Sequence, residues 1–342
     1  MKALVTGGGG FLGGAIARQL LARGDSVRSL ARGDYPELRD LGVETSRGDL
    51  ADPGVAGRAV EGVDVVFHVA ARAGLWGPRA EFVRANVEAT RRVVDACRLH
   101  KVGKLVFTSS PSVVHGGGDV EGGDESLPYP NHYDAAYPET KAEAERIVLA
   151  SNGPGLATVA LRPHLIWGPG DNHLIPRIVA RARVGQLRRI GRRANLVDSI
   201  YVDNAAEAHL LAADRLGPGS APSGRAYFLS QGDPRPLWDL INGILGAAGL
   251  PPVTRSIPPG LAFAAGGMME LVHAALRLPG EPRMTRFLAR QLSTAHWFRI
   301  DAARRDLGYH PKVSIEEGLR RLAAWFEAGA PSSGLASPEA AT

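Results

Sequence analysis

Thr6-Gly7-Gly8-Gly9-Gly10-Phe11-Leu12-Gly13 is the stretch on which the fold turns. Ahead of it runs the strand-like Ala3-Leu4-Val5, and behind it residues 11–22 place Ile16, Leu20 and Leu21 on one helical face. Glycines at 7, 10 and 13 carry no Cβ, so the backbone turns tightly and approaches a pyrophosphate whose charge sits at the helix N-terminus. Gly8, Gly10 and Gly13 satisfy the alternative G-x-G-x-x-G spacing too. The strand–loop–helix setting carries the signal more than the glycines do.

Outward from this turn, short apolar runs at residues 27–30, 43–46, 63–67, 104–107 and 157–161 alternate with helical stretches at 79–100 and 141–150. Runs rich in β-branched residues and spaced this way predict an α/β chain: a Rossmann-type doubly wound parallel sheet. It occupies residues 1–165, and 200–215 return to it. After Pro163 the texture changes to short elements punctuated by proline. Residues 166–330 are therefore read mainly as a smaller C-terminal substrate-binding domain, and 331–342 as a disordered tail.

Composition narrows the classes. The chain has 342 residues, 44% hydrophobic and 22% charged, which excludes a largely disordered protein. A net charge of +5 without a binding motif gives no argument for nucleic acid. Cys97 is the single cysteine, which excludes a disulfide framework and a cysteine-based zinc site and fits a reducing, cytoplasmic setting. His164, His173 and His209 show no ligand spacing, so no metal is expected. Met1-Lys2 leads straight into a strand, so no signal peptide is read at the N-terminus.

The end of the second strand selects the dinucleotide. Ser29-Leu30-Ala31-Arg32 offers no carboxylate before Asp34, and Arg32 presents a planar fork to a 2′-phosphate, so NADP(H) is the expected cofactor. A solvated surface arginine is the alternative. Asp49, beside Leu50, either accepts from the adenine amino group or caps its loop. His68-Val69-Ala70-Ala71 ends the fourth strand with small residues, letting the Ala70 backbone lie against the cofactor, with His68 a packed side chain.

Tyr137-Pro138-Glu139-Thr140-Lys141 spaces a phenol and an ammonium four apart, on one helical face. A phenol at its ordinary pKa of roughly 10 is a poor proton donor or acceptor near neutrality, and a neighbouring cation lowers it. Thr108-Ser109-Ser110 ends the fifth strand at the same sheet edge, where a hydroxyl can hold a carbonyl oxygen that becomes alkoxide. Ser110 is the first choice, with Ser109 and Ser112 behind it.

TGGGGFLG (6–13), VFTSSPSVVHG (106–116), YPETK (137–141), LRPHLIWGPGD (161–171) and DSIYVDN (198–204) together resemble the extended short-chain dehydrogenase/reductases. More narrowly they resemble the 3β-hydroxysteroid dehydrogenase-type branch, which includes sterol-4-carboxylate 3-dehydrogenases and the bacterial 2-alkyl-3-oxoalkanoate reductases of olefin biosynthesis. The resemblance runs from residue 1 to about 326 and closes on Leu307-Gly308-Tyr309-His310-Pro311. It implies that Gly7, Gly10, Phe11, Leu12 and Gly13 bind the pyrophosphate, and that Asp49, Leu50 and Ala70 also lie on the cofactor. Ser110, Tyr137 and Lys141 are implied to be catalytic, Lys141 also holding the nicotinamide ribose, with Pro163 near the nicotinamide. Ala31-Arg32 departs from NAD-using relatives, which carry Asp there.

The expected activity is reduction of a ketone on a bulky apolar substrate, first a 2-alkyl-3-oxoalkanoate and next a 3-hydroxysteroid. Sugar-nucleotide dehydratases carry an Asp-Glu pair after the strand-five Thr, where this chain has Ser110-Pro111-Ser112 without carboxylates, and epimerases usually show the strand-two Asp absent here. An epimerase stays open as an alternative, as does a non-catalytic NADP-sensing regulator. A homodimer is the expected assembly.

Two signals stay ambiguous. Arg177, Arg181, Arg183, Arg188, Arg189, Arg192 and Arg193 make either a solvated face or a contact for an acidic head group, a partner enzyme or anionic lipid. Residues 257–278 carry only Glu270, His273 and Arg277 as charged or titratable groups. They are read as a helix closing over the nicotinamide end, with Leu261, Phe263, Met268, Met269, Leu271 and Leu276 walling the substrate pocket. A peripheral membrane contact is the other reading.

Overall fold

Seven short strands form one parallel sheet: β1 (Lys2–Thr6), β2 (Ser26–Ala31), β3 (Glu44–Arg47), β4 (Val65–His68), β5 (Lys104–Thr108), β6 (Ala157–Pro163) and β7 (Arg225–Leu229). The computed structural model describes residues 1–329; the expected tail lies outside the described residues. The order is β3-β2-β1-β4-β5-β6-β7. It reverses direction between β1 and β4, and the crevice at their carboxyl ends is where a doubly wound sheet binds its ligand. Alternate residues feed opposite faces. Ala3, Val5, Val65, Phe67, Val106 and Leu161 enter one core and Leu4, Val66, Leu105 and Ala160 the other.

Helices α1 (Phe11–Ala22), α2 (Ala89–Leu99) and α3 (Ala136–Ala150) cover this sheet, and α4 (Leu174–Arg183), α5 (Val202–Arg215), α6 (Pro259–Leu276) and α7 (Arg286–Ser293) follow. Helix α5 returns to the sheet: it lies along α1, Gln19 Nε2 donates to the Asp203 carbonyl at 2.9 Å, and His209 Nε2 meets Thr108 Oγ1 at 2.9 Å. Strand β7 also returns, pairing with β6 from Arg225↔Val159 to Leu229↔Pro163. That strand was not foreseen. The expected helix over 79–100 is interrupted by a π-helical segment, Val83–Glu88, ahead of α2. Cys97 lies on α2, fully buried, and burial pushes its thiol up to about 12.

A small four-stranded sheet joins Val120–Gly123, from the β5–α3 connection, to His296–Phe298, Leu196–Val197 and Arg235–Pro236. It ties the later part of the chain to the loop that carries the expected chemistry. Helix α6 corrects an expectation. Leu261, Met268, Leu271 and Leu276 were to wall the substrate pocket, yet they are 59%, 62%, 65% and 67% exposed. The helix buries its small residues instead. A Cβ on Gly266 would stand 2.7 Å from the Thr285 backbone carbon, so the close approach of α6 to the start of α7 needs a glycine and turns the large side chains outward.

Candidate active site

The turn after β1 is a cradle that no side chain could share. Gly7 adopts φ +71°, and a Cβ on Gly13 would stand 2.2 Å from the Gly7 carbonyl oxygen. Gly10 N donates to that oxygen at 2.9 Å. Phe11 and Leu12 open α1, where the N–H groups of a first helical turn point outward without intrahelical partners. Ala70 lies directly over the turn, its Cα 3.0 Å from where a Gly7 Cβ would be. Thr6 Oγ1 fixes this approach, accepting from Val69 N and Ala70 N at 3.1 Å each and bonding His68 Nδ1 at 2.8 Å. His68 is buried, and burial, with Lys141 adding to it, lowers its pKa to about 3. It is a packed neutral imidazole.

At the outer end, Arg32 is exposed, and no carboxylate among the described residues pairs with it. Arg47 Nε donates to the Arg32 carbonyl at 2.7 Å, and Arg39 is paired with Asp34. A cavity of about 140 Å³ opens beside them, lined by Ala31, Tyr35, Ser46 and Arg47 among others. Tyr35 escaped the sequence reading. Its ring lies on Gly9, where a Cβ would come within 2.3 Å, so only glycine at 9 leaves the tyrosine that position. Asp49 does what a loop cap does, with Oδ1 accepting from Ala51 N at 2.8 Å, and its other oxygen bonds Arg84 at 3.1 Å. Any adenine contact would use a second lone pair. Leu50 beside it is buried in the core.

At the chemical end, Ser110 caps a 3-10 turn over Pro111–Val114, and its hydroxyl bonds that of Ser112 at 2.9 Å. Ser109 is buried on the side of Glu145. Ser110, bonded to Ser112, is thus the hydroxyl that faces Tyr137. The helix begins earlier than expected, at Ala136, so Tyr137 and Lys141 share α3. Burial raises the Tyr137 phenol above its ordinary value while the Ser110 hydroxyl works the other way.

The expectation that Lys141 lowers Tyr137 is not met in this arrangement. Lys141 Nζ donates to the Thr108 carbonyl at 2.5 Å and lies 4.1 Å over the Phe107 ring, aimed at the strand rather than at the phenol. Burial lowers its pKa to about 7, with Glu145 opposing.

Beneath this helix, Glu145 and Arg162 form a buried pair at 2.6 Å that joins α3 to β6, with Tyr129 Oη donating to Glu145 at 2.6 Å. Burial works against ionising Glu145, but Arg162 holds the carboxyl below its ordinary range. Pro163 ends β6 immediately beyond, buried and level with the Ser110 turn.

Asn86 was also missed. It sits in the π-helical segment, buried, with Nδ2 donating to Thr140 Oγ1 at 3.0 Å and Oδ1 accepting from Arg72 N at 2.7 Å. No sequence signal marks it; the π-helical turn, of a kind that concentrates at functional sites, is visible only in the structure.

Past the strand ends lie three buried histidines. His296 Nε2 donates to the Gln291 carbonyl at 2.8 Å, its Nδ1 meets His164 Nε2 at 3.2 Å, and the His115 ring stands edge-on to it at 6.0 Å. Burial lowers the pKa of each, that of His115 to about 4.

Residues 4–258 match the 3-beta hydroxysteroid dehydrogenase/isomerase family. The chain is 53% identical over 326 residues to the 2-alkyl-3-oxoalkanoate reductase of Stenotrophomonas maltophilia, covering 95% of this chain and 99% of that one. It is 48% identical over 330 residues to the enzyme of the same name from Shewanella oneidensis, covering 94% and 85%. It is 34% identical over 333 residues to the sterol-4-alpha-carboxylate 3-dehydrogenase, decarboxylating, of Mus musculus, covering 95% and 91%. Among solved structures, gox2253 superposes with a TM-score of 0.75 at 29% identity, covering 95% and 98%. The Thermus thermophilus UDP-glucose 4-epimerase complex with NAD gives 0.71 at 25%, covering 96% and 100%.

Proposed function

The chain belongs to the 3-beta hydroxysteroid dehydrogenase/isomerase family, and from that premise we propose that it is an NADP(H)-dependent 2-alkyl-3-oxoalkanoate reductase. The observation that carries the reading is its near full-length identity, 53% over 326 residues, to the Stenotrophomonas maltophilia enzyme of that name.

The glycine cradle fits a dinucleotide: a Cβ on Gly13 would close the space at the Gly7 carbonyl, and the start of α1 faces it. Gly7, Gly10, Phe11, Leu12 and Gly13 would hold the pyrophosphate, Arg32 a 2′-phosphate, Asp49, Leu50 and Ala70 the adenosine side, and Pro163, Tyr137 and Lys141 the nicotinamide half. When bound, the cofactor supplies hydride to the carbonyl carbon. The residues do the rest. Ser110, with Ser112 bonded to it, holds the carbonyl oxygen as charge develops there. Tyr137, with the Ser110 hydroxyl beside it, gives that oxygen its proton, and Lys141, one turn along α3 and donating to the Thr108 carbonyl, would hold the nicotinamide ribose.

The test is NADPH oxidation against long-chain 2-alkyl-3-oxo acids and 3-oxosteroids. Turnover of the acids supports the reading, and turnover of the steroids alone moves it to a 3β-hydroxysteroid or sterol dehydrogenase, which the 34% identity to the mouse enzyme favours as second choice. NADPH binding with no turnover on any ketone would leave a cofactor-sensing regulator.

A further inference from the structure

The two segments that carry Ser110 and Tyr137 meet a second time, and an arginine stands where they meet. His115 and Gly117 follow the 3-10 turn that Ser110 caps, and His115 N donates to the Ser112 carbonyl at 3.3 Å. Tyr133 and Asp134 lie just ahead of Tyr137. The Tyr133 hydroxyl donates to the Val113 carbonyl at 2.8 Å, which ties this segment to the serine turn. Arg290 reaches both segments from α7. Its Nη1 donates to Asp134 Oδ2 and stands 2.8 Å from where a Gly117 Cβ would be, so a side chain at 117 would push the guanidinium away. The Phe263 ring of α6 lies on its other side, 5.1 Å from the guanidinium carbon.

Two groups in this cluster have donors to spare. Arg290 is half-buried and uses one nitrogen; its Nε and Nη2 bond nothing among the described residues. His115 is only 9% exposed, yet neither of its ring nitrogens has a partner among the described residues. A buried polar group left without a partner is costly, so such groups are normally paired. The neighbouring His296 cannot supply the partner, because both its nitrogens are engaged already. The charges of Asp134 and Arg290 both reach the His115 ring, which places the three groups in one locality. An imidazole N–H and a half-used guanidinium beside an apolar ring suit a carboxylate whose chain continues in hydrocarbon.

We propose that Arg290 and His115 hold the carboxylate of the ketone substrate, and that Asp134 sets how strongly Arg290 does so. In a 3-oxo acid the carboxylate stands two bonds from the carbonyl carbon, so its binding group must lie close to the hydroxyl that holds the carbonyl oxygen. His115, on the segment that Ser110 opens, meets that requirement. Asp134 keeps the guanidinium against Gly117 and offsets part of its charge. The proposal rests on the 3-oxo acid reading above, since a 3-oxosteroid carries no such group.

The experiment compares a 2-alkyl-3-oxo acid with its methyl ester at saturating NADPH. Wild type should prefer the acid in kcat/KM by about tenfold or more, because the ester offers no charge to the guanidinium. Arg290→Gln should bring the acid-to-ester ratio towards one, chiefly by raising KM for the acid, and His115→Phe should lower the ratio by about threefold. Asp134→Asn separates this from a structural role: it removes the competing charge and should raise the ratio. Wild-type NADPH affinity in each variant shows an intact fold. A structural Arg290–Asp134 bridge would make both variants lose acid and ester turnover alike, and that pattern overturns the proposal. A wild-type ratio near one also overturns it while the reductase reading stands. Turnover of neither compound, with 3-oxosteroids reduced, overturns that reading and the proposal with it.

Discussion

On the proposed reading, Arg32 carries the cofactor preference at the level of a single side chain. A charge-assisted contact with a 2′-phosphate contributes about 1.5–3 kcal/mol, so Arg32→Ala should raise the NADPH Kd roughly ten- to hundred-fold and leave NADH unchanged. Equal losses in a titration with both cofactors would make Arg32 structural. Lys141 gives a prediction with a definite pH sign. Its folded pKa, lowered to about 7 by burial, lies below the unfolded value of roughly 10.4. Between those values the unfolded chain binds the extra proton, so this group adds stability as pH rises, and below about 7 the folded state carries a buried ammonium. Lys141→Met should therefore be inactive yet more resistant to urea at pH 6, by on the order of 3 kcal/mol, with the gain fading towards pH 10. A midpoint no higher than wild type at pH 6 would refute the reading. Residue types at special places were legible beforehand, as Gly7, Gly13, Tyr137 and Ser110 illustrate. The aim of a side chain was not: the spacing of Tyr137 and Lys141 puts them on one face, but the Thr108 carbonyl that captures the ammonium belongs to a strand thirty-three positions away.

Helix α3 is the element on which the proposed chemistry rests, and its register is held from below. Glu145 and Arg162 are both buried, and removing one partner leaves an unpaired charge in the core, which costs about 3–5 kcal/mol. Glu145→Ala should lower the unfolding free energy measured by urea denaturation by that amount, whereas a change within about 1 kcal/mol would show the pair to be solvated. Asn86 works at the same scale, bridging the loop at Arg72 to Thr140 on α3 from inside a π-helical turn. Asn86→Ala should reduce kcat about tenfold or more with NADPH binding little changed; a larger effect on NADPH affinity than on kcat would place it with the cofactor instead. Elements with strong local signals were readable, including β1, β5, β6 and α1. Strand β7 was not, because Arg225-Ala226-Tyr227-Phe228-Leu229 is five residues long and owes its place to β6 alone. The π segment was equally hidden, since an extra residue per turn leaves the apolar pattern almost intact.

For the whole molecule, the topology brings three separated motifs, at residues 6–13, 108–112 and 137–141, to one sheet edge, and this assembly was foreseeable from their order along the chain. What covers an apolar helix was not, because hydrophobicity records how much a segment wants burial and not which neighbour supplies it. Small residues settled the matter for α6: Ala262 and Gly266 won the inner face with Phe263 partly packed beside them, and Leu261, Met268, Leu271 and Leu276 were left outside. The chain has a single thiol, Cys97, fully buried on α2 and held protonated far above neutrality. The native protein is therefore nearly silent towards maleimides, and a cysteine written in at Met268 would be the sole attachment point for a polarity-sensitive dye, turning the outer face of α6 into a fluorescent reporter of what it touches.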